Sequence, residues 1–195
     1  MTRPARLARV SLPTPRAHLA RLTLAAAALA ALAFAAPATA LPSAGADRPT
    51  VQLVDGWDRP FVLPRAHGKP VLVVYEDKDS AQQNQAFKDE LAKLGKGDRY
   101  KHKVTLVAIA DLQGYDYWPV RGFVKDAIQS ESNKFGTLIY CDWSGAARAS
   151  LRLKKGVSSV LLYDREGKLI FSHEGPMPAA KRQAAIALLR EAVGA

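Results

Sequence analysis

The chain has 195 residues, of which 48% are hydrophobic and 24% are charged. This length and balance are typical of one folded globular domain and exclude an intrinsically disordered chain. Cys141 is the single cysteine, which excludes an internal disulfide, so the hydrophobic core must hold the fold.

The first forty residues predict an export signal. Five arginines and no acidic residue occur up to Arg21, and an apolar run from Leu22 to Ala36 leads to the small-residue sequence Ala38-Thr39-Ala40. These are the basic region, apolar region and cleavage site of a secretory signal peptide. The run of about 15 residues is shorter than a membrane span of about 20. We therefore predict a signal peptide over 1–40, cleavage after Ala40, a periplasmic location and no stable membrane insertion afterwards.

Positive charge is a weak indicator of partners in this chain. Without the five arginines that precede Ala40, the formal charge falls from +10 to +5. The lysine-rich stretches "KLGKGDRYKHK" and "RLKK" contain one Phe, Tyr or Trp residue between them, Tyr100, and belong to no nucleic-acid-binding motif. They predict solvated surfaces, and no nucleic-acid partner is expected.

The first half of the mature chain predicts a lead-in followed by alternating strands and helices. Residues 41–49, rich in Pro, Ser and Gly, predict a flexible lead-in, and 50–195 predict the domain. "TVQLVDGWDRPFVLP" indicates a hairpin, and the continuous apolar run "GKPVLVVYE" indicates a buried strand at the centre of a sheet. Apolar residues spaced four and three apart predict a helix from Ser80 to Leu94, and "VTLVAIA" predicts the next strand.

The second half predicts helix and strand again and then a hairpin. A helix is expected from Arg121 to Lys134, a short strand at "TLIY" and a short helix at "GAARASLRL". The stretch "SSVLLYDREGKLIFSHEG" places two apolar runs around a tight turn, which predicts antiparallel strands. A last helix should cover Pro178 to Val193. The predicted class is α/β, with a central mixed sheet, flanking helices and a C-terminal β-hairpin plus helix.

Two segments resemble thioredoxins. "GKPVLVVYEDKDSAQQ" is similar to the segment of TlpA/ResA-type redoxins in which a strand leads into the Cys-x-x-Cys helix. Alignment at Gly68 puts Ser80 and Gln83 where the two cysteines would stand. "KGVSSVLLYDREGKLI" is similar to the thioredoxin segment around the cis-proline and places Ser158 at the proline position. The resemblance implies a thioredoxin-like fold that lacks the redox pair.

A second resemblance covers most of the mature chain. The stretches "DRY" at 98–100, "ESNK" at 131–134, "SSVLLYDREGKL" from Ser158 and the helix after "EGPM" resemble the periplasmic YtfJ family. This resemblance implies a thioredoxin-like fold in the periplasm and gives no activity.

The corner from Asp77 to Gln83 is the first candidate site. Ser80-Ala81-Gln82-Gln83 fits the capping box S-x-x-[EQ], in which the Ser80 hydroxyl and the Gln83 side chain bind each other's backbone N–H. Ser80 as a nucleophile would need a base, and the nearest candidates, His67, His102 and His173, belong to other elements.

The acidic residues of that corner do not predict a metal site. Asp77 and Asp79 lack the third oxygen ligand and the glycine of a calcium loop. Their negative charge suits the positive end of the following helix. We expect neither a metal nor a cofactor.

Cys141 and the loop after the second predicted parallel strand are the other candidates. A lone thiol suits either a buried core residue or a divergent redoxin or peroxidase-like enzyme. Tyr115, Tyr117, Trp118 and Arg121 could form a rim for a partner or pin the loop to the sheet. This loop should share one sheet edge with the Ser80 corner.

The resulting hypothesis is an exported thioredoxin-like protein without thiol-disulfide activity. It would act as a binding or adaptor module of the cell envelope, with an unidentified periplasmic protein or peptide as partner. The binding face would comprise the Asp77–Gln83 corner, the Tyr115–Arg121 loop and the turn at Ser158. The alternative is an enzyme that uses Cys141.

Overall fold

The computed structural model describes residues 41–64, 68–96, 100 and 102–194. The predicted signal peptide and His67 lie outside the described residues, as does part of the 98–100 stretch. Within these ranges the strands and helices are, in chain order, β1 Val51–Asp55, β2 Pro60–Leu63, β3 Val71–Glu76, α1 Gln85–Gly95, β4 Thr105–Asp111, α2 Val120–Phe135, β5 Ile139–Asp142, α3 Ala146–Leu151, β6 Ser159–Tyr163, β7 Leu169–Glu174 and α4 Ala179–Ala192.

The strands form one mixed sheet in the order β2-β1-β5-β4-β3-β6-β7. Strands β3, β4 and β5 are parallel, and every other pairing is antiparallel. Both predicted hairpins and the α/β class are confirmed. The middle strand is β4, whereas we had expected β3 there. Because β3, β4 and β5 are parallel, Glu76, Asp111 and Asp142 end at one edge of the sheet.

Strand β3 is buried on both faces. Val71, Val73 and Tyr75 belong to one hydrophobic cluster, and the alternate residues Leu72 and Val74 belong to a second cluster. Helix α3 packs on the first cluster, while α1 and α4 contribute to the second. This arrangement explains the uninterrupted apolar run, since both sets of alternating side chains face protein. No helix within the described ranges is long and apolar enough to cross a membrane.

The prediction of a flexible lead-in over 41–49 is wrong. The N–H of Gly45 donates to the carbonyl of Leu169 at 2.8 Å, and the N–H of Leu169 donates to the carbonyl of Ala46 at 2.9 Å. The N–H of Arg48 donates to the carbonyl of Gly167 at 2.8 Å. The segment therefore pairs with backbone groups at the β6–β7 hairpin that would otherwise lie at the sheet edge. Leu41 and Ala46 also pack against the first cluster.

Candidate functional site

The Asp77–Gln83 corner is a turn organised by Asp77. One carboxylate oxygen of Asp77 accepts the N–H groups of Asp79 at 3.1 Å and Ser80 at 2.8 Å. The buried hydroxyl of Ser80 accepts the N–H of Asp77 at 2.9 Å. This mutual arrangement is a local side-chain to backbone turn of the kind that aspartate and serine favour.

The capping-box prediction is therefore wrong. Helix α1 begins at Gln85, with Asn84 at its N-cap, because Asp77 takes the Ser80 N–H that Gln83 was expected to reach. The side-chain oxygen of Gln83 instead accepts the N–H of Ser158 at 3.1 Å. The predicted start at Ser80 is thus five residues too early.

No histidine base is hydrogen-bonded to Ser80 among the described residues. The partners of its hydroxyl all belong to Asp77: the hydroxyl accepts the N–H of Asp77, approaches the carbonyl of Asp77 and hydrogen-bonds to the Asp77 carboxylate. His173 instead contacts the carbonyl of Pro176, with 3.2 Å between Nε2 and the oxygen. A serine without a base is a weak nucleophile, so this geometry supports a structural role for Ser80.

Ser158 lies in a buried polar network that ties the corner to the β7–α4 connection. Its hydroxyl accepts from Asn84 at 2.8 Å and donates to Glu76 at 2.8 Å. Asn84 also donates to the carbonyl of Gly175 at 3.0 Å and accepts the N–H of Met177 at 2.8 Å. The hydroxyl of Ser158 is thus buried and already paired, so its role in this structure is to support the corner.

A second buried network, which our sequence reasoning missed, fixes the same sheet edge. The Tyr75 hydroxyl donates to Asp142 at 3.0 Å, and Asp142 also accepts the N–H of Arg148 at 3.0 Å. The Arg148 guanidinium pairs with Asp111 at 2.5 Å and donates to Gln113 at 2.7 Å. Both acids end parallel strands, a position that the sequence could have flagged because carboxyl ends of parallel strands meet.

A cleft of about 320 Å³ opens at this edge. It is lined from the corner by Asp77, Lys78 and Asp79, and from the loop after β4 by residues that include Tyr115. The expectation that the corner and the loop share one edge is confirmed. No group of three or more metal-binding side chains occurs within the part of the chain that the structure describes.

The exposed aromatic residues that follow Tyr115 are not part of the cleft lining. Trp118 is 90% exposed and Tyr117 is 57% exposed, and Phe123 in the first turn of α2 is also exposed. We call Tyr117, Trp118 and Phe123 the aromatic segment.

Arg121 is paired with Asp116 and Asp58, and its guanidinium carbon lies 4.6 Å from the centre of the Trp143 ring. Arg121 therefore joins α2 to the β1–β2 turn.

Cys141 is a core residue. It is 2% exposed and lies in β5, which is paired on both sides by β1 and β4. Burial raises the pKa of the thiol to about 12, and the charges of Asp55 and Asp58 add to this effect. Because the thiolate is the nucleophile, the folded protein has almost none of the reactive form at neutral pH.

We expect the folded protein to be inert towards a chromogenic disulfide reagent at pH 8. The unfolded chain should release one equivalent of chromophore, since unfolding restores an ordinary thiol pKa of about 8.5. Absorbance of the released thiolate, with and without guanidinium chloride, measures both states. Rapid reaction of one thiol in the folded state would contradict the burial argument.

The contribution of the corner to folding stability should depend on pH through the ionisation of Asp77. Desolvation alone would raise the pKa of this carboxyl, but hydrogen bonds from the Ser80 hydroxyl and the N–H groups of Ser80 and Asp79 outweigh it, and the pKa is lowered from 3.8. A carboxyl with a lowered folded pKa stabilises the fold above its unfolded pKa and loses this effect as pH falls through the folded value.

Asp77→Asn should therefore reduce the free energy of unfolding more at about pH 5 than at about pH 2.5. Urea unfolding at both pH values, followed by circular dichroism, measures the difference. Asp89→Asn changes an exposed carboxylate on α1 and serves as the matched control. A cost of Asp77→Asn that is equal at both pH values would contradict this account of the corner.

Comparisons with known proteins agree with the fold. A family model described as "Bacterial protein of unknown function (YtfJ_HI0045)" matches residues 73–192. No curated protein matches the chain.

Solved structures are similar at low identity. The exposed lipoprotein thioredoxin Etrx1 from Streptococcus pneumoniae is 18% identical, with 73% of this chain and 99% of that chain covered and a TM-score of 0.54. A peroxiredoxin-like protein from Aquifex aeolicus is 9% identical, with 78% and 89% covered and a TM-score of 0.56. An uncharacterized conserved protein from Geobacillus kaustophilus is 14% identical, with 78% and 82% covered and a TM-score of 0.59. Such identities establish a thioredoxin-like fold and no more.

Proposed function

Because the chain belongs to the bacterial YtfJ_HI0045 family of unknown function and has a thioredoxin-like fold, we propose that it is a non-catalytic binding or adaptor module of the cell envelope. Export by the signal peptide over 1–40 is part of this proposal. The partner is a periplasmic protein or peptide. N-terminal sequencing of the mature protein tests the export step, and Leu41 is the expected first residue.

The absence of a usable thiol supports a non-redox role. Thiol-disulfide exchange needs a thiolate that can reach a substrate. The corner of this fold has Ser80 and Gln83 and no cysteine, and the single thiol of the chain is buried in β5. The alternative, a divergent redoxin that uses Cys141, has no geometric support.

The observation that carries the binding proposal is the exposure of the aromatic segment. Trp118, with 90% of its surface exposed, and its neighbour Tyr117 bury little apolar area in the folded chain. Tryptophan and tyrosine dominate the binding energy of protein interfaces, where truncation of a central residue costs about 2–4 kcal/mol. The adjoining cleft adds carboxylates and lysines that would select the partner.

The buried network around Asn84 and Ser158 supports the same proposal, because it holds the corner in place. It fixes the corner to the β7–α4 connection through buried hydrogen bonds. A rigid face lowers the entropy lost on association. We therefore assign Ser80, Gln83 and Ser158 to the support of the surface, and Asp77, Asp79, Tyr115, Tyr117 and Trp118 to contact with the partner.

Crosslinking pull-down from the periplasm tests the proposal. Trp118→Ala should reduce recovery of the partner by at least 10-fold, and Tyr117→Ala should reduce it by a smaller factor. Phe135→Ala is the matched control, because Phe135 is an exposed aromatic residue at the opposite end of α2. Equal recovery with all three variants would contradict the proposal. Because Trp118 is exposed, its loss should leave the free energy of unfolding within about 0.5 kcal/mol of wild type.

A further inference from the structure

The side chain of Arg48 is a buried cation without a carboxylate partner in the described residues. Its relative exposure is 0%. Its Nε donates to the carbonyl of Pro64 at 2.8 Å, and its guanidinium carbon lies 5.5 Å from the centre of the Tyr163 ring. Both terminal nitrogens are buried and have no hydrogen-bond partner among the residues that the structure describes. Unpaired buried charge is strongly unfavourable.

Within the described part of the chain, no acidic group forms an ion pair with the Arg48 guanidinium. Asp47 precedes it in the chain and pairs with Lys168 at 2.9 Å. Asp164 attracts it only through its charge and accepts the N–H groups of Glu166 and Lys168. Burial lowers the pKa of Arg48, and the electrostatic effects of Tyr163 and Asp164 offset this only in part.

A second cleft lies beside this cation. It has a volume of about 260 Å³, and Asp47 and Pro49, the two chain neighbours of Arg48, form part of its wall together with Tyr163. Ser150 and Arg152 from the end of α3 line it as well. Hydroxyl and guanidinium groups are hydrogen-bond donors that suit an oxyanion. A cleft of this volume has room for a small anionic group.

We propose that this cleft binds a small oxyanion, either a carboxylate or a phosphate group, with Arg48 as its buried charge partner and Arg152 as its exposed one. The lead-in residues Asp47 and Pro49 form the wall that must shift for the anion to reach the two unpartnered nitrogens of Arg48. The site lies on elements other than the aromatic segment, so it is independent of the proposed function.

Titration of the full mature chain with inorganic phosphate, and separately with acetate, tests the site at constant ionic strength set by chloride. Arginine-labelled protein is used, and the Nε–H resonance of Arg48 and the melting temperature are followed together. We expect saturable binding of at least one anion, a shifted Arg48 resonance and a raised melting temperature, because a ligand that binds only the folded state stabilises it. A response to phosphate alone or to acetate alone identifies which oxyanion the site prefers.

Three variants separate this site from general attraction to a basic protein. Arg48→Met should weaken binding at least 10-fold, because it removes the buried charge partner of the anion. Arg152→Gln should weaken binding about 3-fold to 10-fold, because it removes an exposed guanidinium that can hold an oxyanion with two hydrogen bonds. Arg190→Met removes an exposed arginine of α4 and should leave binding unchanged. Absence of saturable binding in the wild type, or equal weakening by Arg190→Met, overturns the proposal. If Arg48→Met does not fold, the wild-type titration decides, and an unshifted Arg48 resonance at saturation overturns the proposal.

Discussion

Replacement of Asn84 by alanine is expected to lower the free energy of unfolding by about 3–5 kcal/mol, because one buried amide satisfies several buried groups. Asn84 is 2% exposed, donates to Ser158 and to the carbonyl of Gly175, and accepts the N–H of Met177. Alanine leaves the last two backbone groups without partners. A buried polar group that loses its partner costs about 1–3 kcal/mol.

Equilibrium unfolding in urea, with tryptophan fluorescence and circular dichroism as probes, measures this loss. Asn133→Ala is the matched control, because Asn133 is an exposed asparagine in α2. Its cost should stay within about 0.5–1 kcal/mol. A similar small cost for Asn84→Ala would show that the network does not hold the corner to the β7–α4 connection.

Replacement of Asp142 by alanine is expected to cost about 2–4 kcal/mol, because it leaves the Tyr75 hydroxyl and the Arg148 N–H unpaired in the interior. Tyr75 is almost wholly buried and donates to Asp142 across the ends of β3 and β5. Burial, followed by the charges of Asp142 and Asp111, raises the pKa of Tyr75. The hydroxyl therefore stays protonated and acts as a donor.

Asp142→Asn retains an acceptor oxygen and should recover part of the stability lost in Asp142→Ala. Asp116→Ala, which removes an exposed partner of Arg121, is the surface control and should cost about 1 kcal/mol or less. Urea midpoints at pH 7 rank the variants. If Asp142→Ala and Asp116→Ala cost the same, the second network does not fix the carboxyl edge.

The sequence predicts the strands and the longer helices well because their signals are local. A few neighbouring residues are enough to predict strand β3 from its apolar run and the β6–β7 hairpin from its turn residues. Helix α2 was predicted as Arg121–Lys134, within one residue of its bounds at each end. The thioredoxin-like fold follows from this order of elements and from the resemblance at Gly68–Pro70.

The wrong predictions concern segments whose structure depends on a competing hydrogen-bond partner or on a partner far away in the sequence. The start of α1 was misplaced because Asp77 competes with Gln83 for the Ser80 N–H. The lead-in seemed flexible from its composition, but its backbone pairs with residues more than a hundred positions away, around Gly167 and Leu169. No local pattern reports such long-range pairing.

The candidate site was predicted in part. Tyr115 and the Asp77 corner share a cleft as expected. The sequence could not show that Arg121 turns to Asp58, 63 positions away, or that Ser80 and Ser158 are buried. The sequence is also compatible with two roles for the aromatic loop, contact with a partner or attachment of the loop to the sheet. The exposure of Trp118 now favours contact with a partner, which remains a proposal.

The central claim is that the function depends on the aromatic segment and on no thiol, and site-specific photo-crosslinking in cells tests it most directly. The chain carries Cys141→Ser together with a photoreactive aromatic residue at position 118 or, as control, at position 135. We predict a discrete covalent adduct from position 118, none from position 135, and the same adduct when Cys141 is present. Loss of the adduct on removal of the thiol, or equal adducts from both positions, would contradict the claim.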